Sequence, residues 1–323
     1  MPFTRARQYA LTSSVLDLDL LALILEHVEP GALRSTSCVN RTWAATSSAI
    51  AERIRARPAL HLVGGCSDGP HPSAARASAT SKRFDPILER WTPCVSLRHS
   101  RDHHGLVSWG GRLFAVGGWD GQSNRASTEV FEPRRRSQRS WCPGPTLQQR
   151  RSGHGVAVSP DGDAYAIAGW DAQATSYLTS VERCRMFAAP AASAATTPMP
   201  RLRKPSAWCR LECELSVGRH CPGVAFVGRV LFVTGGAGWD GATLASCERL
   251  DTANPELGWR PCAPMLTARY RHTLVELGGA LYAAGGLDGD WAKTSCCERC
   301  RRRALLTTAG WTDRRRAPGS VAR

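Results

Sequence analysis

The chain has 323 residues, 42% hydrophobic and 21% charged, which is the make-up of an ordinary globular protein with room for one large domain or two smaller ones. No apolar run is long enough to span a bilayer, and the opening MPFTRARQYALTSS lacks the apolar core of a secretory signal. The net charge of +15 is nearly all arginine, since lysine occurs only as Lys82, Lys204 and Lys293; the runs Arg134–Arg136, Arg301–Arg303 and Arg314–Arg316 fall in predicted loops or the tail and read as solvated charge, so neither a nucleic-acid nor a membrane partner is expected. Thirteen cysteines without an export signal point to reduced thiols and a cytoplasmic or nuclear protein.

In chain order, the first patterned segment is residues 14–56. Leu16, Leu20, Ile24 and Val28 recur at helical spacing, and Leu21 and Leu25 widen the stripe. Pro30-Gly31 interrupts it. Two further short helices are predicted, one from Gly31 through Ser37 and one from Arg41 to Arg55 that carries Trp43. Three small helices of this length make a marginal core alone, which favours a partner.

From residue 59 to the end the chain is organised by a repeat. Strands ending in a glycine pair place the first residue of the pair at Gly64, Gly117, Gly235 and Gly285, with Ala168-Gly169 as a variant, at intervals of 53, 51, 67 and 50 residues. An acidic turn follows each pair, with Asp68, Asp120, Asp171, Asp240 and Asp288. A short strand then carries Glu129, Glu182, Glu248 or Glu298, and a tryptophan comes next at Trp91, Trp141, Trp208, Trp259 and Trp311. The unit closes on an arginine with a histidine three residues on: Arg101 with His104, Arg151 with His154, Arg269 with His272. Arg219 instead has Pro222 in the histidine slot, and His220 is out of register. Each unit thus offers four short strands, and such a sheet buries its two faces only by stacking radially on its neighbours.

The repeat also assigns cysteines. Cys247 and Cys297 precede the repeat glutamate, and Cys94 and Cys262 follow Trp-x-Pro, slots for a small packing side chain. Against zinc at Cys297 and Cys300 with Cys209 and Cys213, a lone C-x-x-C is a weak signal, and no metal or other cofactor is expected. An Ala/Pro/Ser/Thr-rich insertion, about 186–206, is predicted to form a loop. Five units are visible, and either a five-bladed ring closes with the tail after Arg316 or the ring is incomplete.

These marks resemble Kelch repeats, and the expected fold is mainly β: a Kelch-type β-propeller over 59–323 preceded by a small three-helix domain over 14–56. In that family the glycine pair, Glu, Trp and Arg are mainly architectural. The segment LDLDLLALILEHVEPGALRSTSCVNRTW resembles an F-box, through Leu16, Asp19, Leu20, Leu21, Ile24 and Leu25 and the later Val39, Arg41 and Trp43, with Asp17 where the family has proline. Together the resemblances imply a substrate receptor of an SCF-type ubiquitin ligase, with Leu16, Leu20, Leu21, Ile24, Leu25, Val39 and Trp43 binding a Skp adaptor, and through it a cullin and a RING subunit. The propeller would hold a protein substrate and perform no bond chemistry. By analogy Arg101, Arg151, Arg219 and Arg269 are candidates for gripping acidic groups, with the tying together of blades as the competing role. Trp119, Trp170 and Trp239, assigned to equivalent turns, could line an aromatic rim. The alternatives are a Kelch scaffold without a ligase role and, last, a Kelch-type enzyme; no phosphate loop or catalytic triad spacing appears.

Overall fold

The structure, a computed structural model, describes residues 60–67, 76–85, 90–133, 140–186, 206–290, 292, 294, 297–301 and 311–313. The F-box-like segment with all its adaptor-binding candidates, the interior of the insertion and the tail after Asp313 lie outside the described residues. The chain divides into two compact units, one of residues up to Leu62 together with Lys82–Cys94, the other of Val63–Ser81 and Val95–Arg323. The only helix among the described residues is a single 3-10 turn at Pro255–Leu257.

The first sheet has three strands, Leu60–Val63, Ser81–Asp85 and Arg90–Cys94. Phe84 and Trp91 pack ring on ring there, 5.5 Å between centroids.

The larger unit holds four four-stranded antiparallel meanders, called here the second to fifth sheets. The second runs Gly105–Trp109, Arg112–Val116, Thr128–Phe131, Cys142–Pro143. The third runs Gly155–Val158, Asp163–Ile167, Val181–Arg185, Cys209–Arg210. The fourth runs Gly223–Val227, Val230–Thr234, Cys247–Asp251, Arg260–Cys262. The fifth runs Thr273–Leu277, Ala280–Ala284, Cys297–Arg301, Trp311–Asp313.

Sequence pattern explains the layering. The glycine-pair strands Arg112–Val116 and Asp163–Ile167 are buried at every position, as strands covered on both faces must be. Successive sheets share apolar clusters. Phe114 and Val116 meet Ala164, Ala166 and Cys184. Tyr165 and Ile167 meet Leu231, Val233 and Leu250. Phe232 and Cys247 meet Leu281, Ala283 and Cys300. The repeat tryptophans seal the outer strands: Trp141 and Trp208 are fully buried, and the Trp141 and Trp311 indole N–H groups donate to the carbonyls of Val95 (2.9 Å) and Ala263 (3.0 Å).

Candidate functional site

The sequence offers the repeat arginines Arg101, Arg151, Arg219 and Arg269 for ligand contact. All four are buried at 0% exposure. Each pairs with the repeat glutamate on the third strand of the sheet that follows: Arg101–Glu129 at 3.0 Å, Arg151–Glu182 at 2.8 Å, Arg219–Glu248 at 2.8 Å, Arg269–Glu298 at 2.6 Å. The other guanidinium nitrogen of Arg151 donates to the carbonyls of Ala168 (2.9 Å) and Ser180 (3.0 Å), and Arg101 and Arg219 repeat the pattern. The glutamates also accept from incoming loop amides: Arg98, Gln148, Ser216 and Leu266 donate at 2.7, 2.6, 2.9 and 2.7 Å. Burial raises the Glu129 pKa, but the Arg98 N–H and the Arg101 guanidinium outweigh it and hold the carboxyl below its usual value. The arginines are ties between strand and loop, with no face open to a ligand.

The positions two residues past each arginine run from buried Gly153 through partly buried His103 and Cys221 to exposed Arg271. His103, Gly153, Cys221 and Arg271 all adopt the left-handed conformation, with φ of 50°, 56°, 52° and 56°. A backbone relay joins them: Arg271 N–H donates to Cys221 O (3.0 Å), Cys221 N–H to Gly153 O (2.6 Å), and Gly153 N–H to His103 O (2.8 Å). One contact spans from the second sheet to the fifth, where the Arg271 Nη2 donates to His103 Nε2 at 3.0 Å. His103 therefore carries its proton on Nδ1, which meets Asp102 Oδ2 at 2.8 Å. Burial pushes the Asp102 pKa up, yet the His103 bond prevails and the carboxyl lies below its usual range.

An aromatic group adjoins this centre. Tyr177 stacks on His220 (5.6 Å between centroids) and meets Trp239 (5.8 Å) and Trp170 (5.3 Å) edge to face. Trp170 and Trp239 stack at 6.0 Å, and His220 lies 6.0 Å from His103. Trp239 is 65% exposed, an unusual state for the largest apolar side chain and one typical of contact surfaces. Burial, then the neighbouring His103 and Arg271, lowers the His220 pKa to about 4. Burial pushes the Cys221 thiol up to about 11, so the Cys221–His220 contact at 3.7 Å joins a neutral thiol to a neutral imidazole at pH 7. Such a pair hydrogen-bonds and packs; it is not an activated nucleophile.

The aromatic candidates need one correction. Trp119 and Trp170 bridge Asp102 and Ser152 directly after their glycine pairs, but in the fourth sheet that slot belongs to Ala237, which bridges His220. Two extra residues, Ala237-Gly238, displace Trp239 outward, and the shift is what brings it over Trp170 and Tyr177. Trp119 and Trp170 are half-buried. Sequence reasoning missed His103, Tyr177 and Arg271 and set His220 aside as out of register. The signal available was the slot two past each arginine, where the repeat is otherwise regular and the residue changes every time.

Among the described residues no cluster of three or more His, Cys, Asp or Glu side chains is placed to hold a metal. Cys300 is buried in the cluster between the fourth and fifth sheets, whereas Cys213 packs against the one between the third and fourth.

With this geometry in place, comparison with known proteins is informative. Residues 100–148 match the family model described as Kelch motif. The chain is 35% identical over 112 residues to mouse Kelch-like protein 26, a stretch covering 35% of this chain and 18% of that protein. Human Kelch-like protein 34 aligns at 32% identity over 117 residues, 34% of this chain and 18% of the relative, and human Kelch-like protein 5 at 43% over 49 residues, 15% and 6%. The matched stretches thus span under a fifth of each relative. Among solved structures, "Structure of YjhT" superposes with a TM-score of 0.62 at 12% identity, covering 79% of this chain and 81% of that one, a likeness of fold. The fold is mainly β and propeller-type, and residues 100–148 carry a Kelch motif.

Proposed function

We propose that the chain is the substrate-recognition subunit of an SCF-type ubiquitin ligase, in which residues 14–56 bind a Skp adaptor and the repeat domain holds a protein substrate on the face built from His103, Tyr177, His220, Trp239 and Arg271. The single observation that carries the substrate half is the exposed Trp239 seated on Trp170, Tyr177 and His220, because nothing in blade packing requires that indole to face water. The adaptor half rests on the F-box-like residues Leu16 through Trp43. The receptor performs no chemistry of its own: it raises the local concentration of substrate lysines near a charged ubiquitin carrier, in the cytoplasm or nucleus.

The test is co-expression of the full chain with a Skp-type adaptor, followed by pulldown, beside a Leu20/Leu21/Ile24 triple alanine variant. Capture by the wild type and loss by the variant is the expected result. A well-folded wild-type chain that captures no adaptor would leave a Kelch interaction scaffold without a ligase role.

A further inference from the structure

The fourth sheet has cysteine at both of two paired positions. Cys247 begins the strand Cys247–Asp251, Cys262 ends Arg260–Cys262, and the register sets them directly opposite one another. Opposed residues on antiparallel strands project from the same face with Cα atoms roughly 4.5–5.5 Å apart. That lies inside the roughly 4.4–6.8 Å spanned by a disulfide. The corresponding positions in the second and third sheets, linked by Gly144 N–H to Thr128 O and Leu211 N–H to Val181 O at 2.8 Å each, hold no cysteine. Both thiols join the cluster that packs Met265, Leu281 and Cys300 between the fourth and fifth sheets. They are free, with Cys247 buried and Cys262 partly open to solvent. The Cys247 thiol donates to the Ala245 carbonyl at 3.5 Å, and the more open Cys262 is the one a soluble disulfide reaches first.

We propose that Cys247 and Cys262 are a thiol–disulfide modification site, closed by exchange with a low-molecular-weight disulfide such as oxidised glutathione. The Cys262 thiolate attacks one glutathione sulfur, the glutathione S–S bond breaks, and one glutathione leaves as thiolate. Cys247 then gives up its proton to solvent and attacks the Cys262 sulfur, and the second glutathione leaves. The two protein thiols lose two electrons, and the glutathione disulfide gains them to become two thiols. The segment just past Cys262 supplies the Leu266 and Thr267 amides that bond Glu298, at 2.7 and 3.0 Å. The new bond therefore braces the junction between the fourth and fifth sheets.

To test this, the full chain is incubated with oxidised glutathione, its remaining thiols are alkylated, and it is digested without reductant for mass spectrometry. The expected product is a peptide pair joined through Cys247 and Cys262, lighter by about two hydrogens and reopened by dithiothreitol. Cys247→Ser is expected to stop at a glutathione mixed disulfide on Cys262. Cys142→Ser, which removes an exposed thiol elsewhere, should retain the cross-link and so guards against a folding defect in the first variant. The oxidised wild type should melt higher than the reduced one. The site is overturned if both thiols stay alkylatable in the folded wild type, or if Cys262 in the wild type stops at the mixed disulfide.

Discussion

At the junction of the second and third sheets, Gly117 has φ 59°, and a Cβ there would lie 2.7 Å from Arg151 O and 2.8 Å from His154 Cε1. One junction later Ala168 holds the same slot at φ 60°, and the facing histidine is replaced by Pro222. Gly235 returns to the first arrangement, with Arg269 O and His272 Cε1 against the place a Cβ would take. The glycine is thus demanded by three things: a left-handed backbone, the arginine carbonyl of the next unit, and its imidazole. Where proline replaces the imidazole, the left-handed slot carries a methyl group. The departures at Ala168 and Pro222 are one compensated change rather than two defects in the repeat.

Both kinds of junction rest on the same ion pair, so breaking that pair should cost most. Arg151→Met leaves Glu182 buried and uncompensated, and is expected to destabilise by about 3–5 kcal/mol in a denaturant titration. Gly117→Ala adds strain and overlap together and should cost about 2–4 kcal/mol. The comparison sharpens in a double-mutant cycle: in a His154→Ala background the same Gly117→Ala should cost clearly less, whereas Ala168→Gly in the wild type should change stability by no more than about 1 kcal/mol. Equal penalties for Gly117→Ala in both backgrounds would sink the histidine account.

The histidines also set a pH dependence. Burial, then the nearby Arg101 and Arg269 respectively, lowers His104 to about 4 and His272 to about 3, against 6.5 when unfolded. A depressed folded pKa means that the unfolded chain binds protons first. The contribution is whole above about pH 6.5 and is lost as pH falls through the folded values. Unfolding midpoints measured from pH 7 to 4 should decline, and His104→Asn with His272→Asn should flatten the decline. Smallest for stability is Trp239→Ala, within about 0.5 kcal/mol of wild type by the same titration. The same variant is expected to weaken capture of a protein substrate, and unchanged capture would remove Trp239 from the binding face.

The architecture was legible because it recurs. Glu129 and Arg101, like Glu182 and Arg151, appear in sequence as separated marks, and their recurrence announces a contact before any distance is known. Recurrence also misled, since it placed Trp239 in the slot that Ala237 fills, two residues earlier. The site was hidden for the opposite reason. His103, His220 and Arg271 occupy positions with no repeated identity, and Tyr177 and Trp239 come from different sheets, so only folding makes them neighbours.

The relay of left-handed residues has a consequence for evolution. His103, Gly153, Cys221 and Arg271 are linked through N–H and C=O groups that every non-proline residue possesses. At His103, Cys221 and Arg271 the side chain can therefore be exchanged with little damage to the links between sheets, whereas Gly153 is fixed, because a Cβ there would overlap the His220 imidazole. The chain already displays four different outcomes at one structural position, side by side. A lineage with this scaffold can change what it recognises by substitutions at a handful of codons while the fold stays as it is.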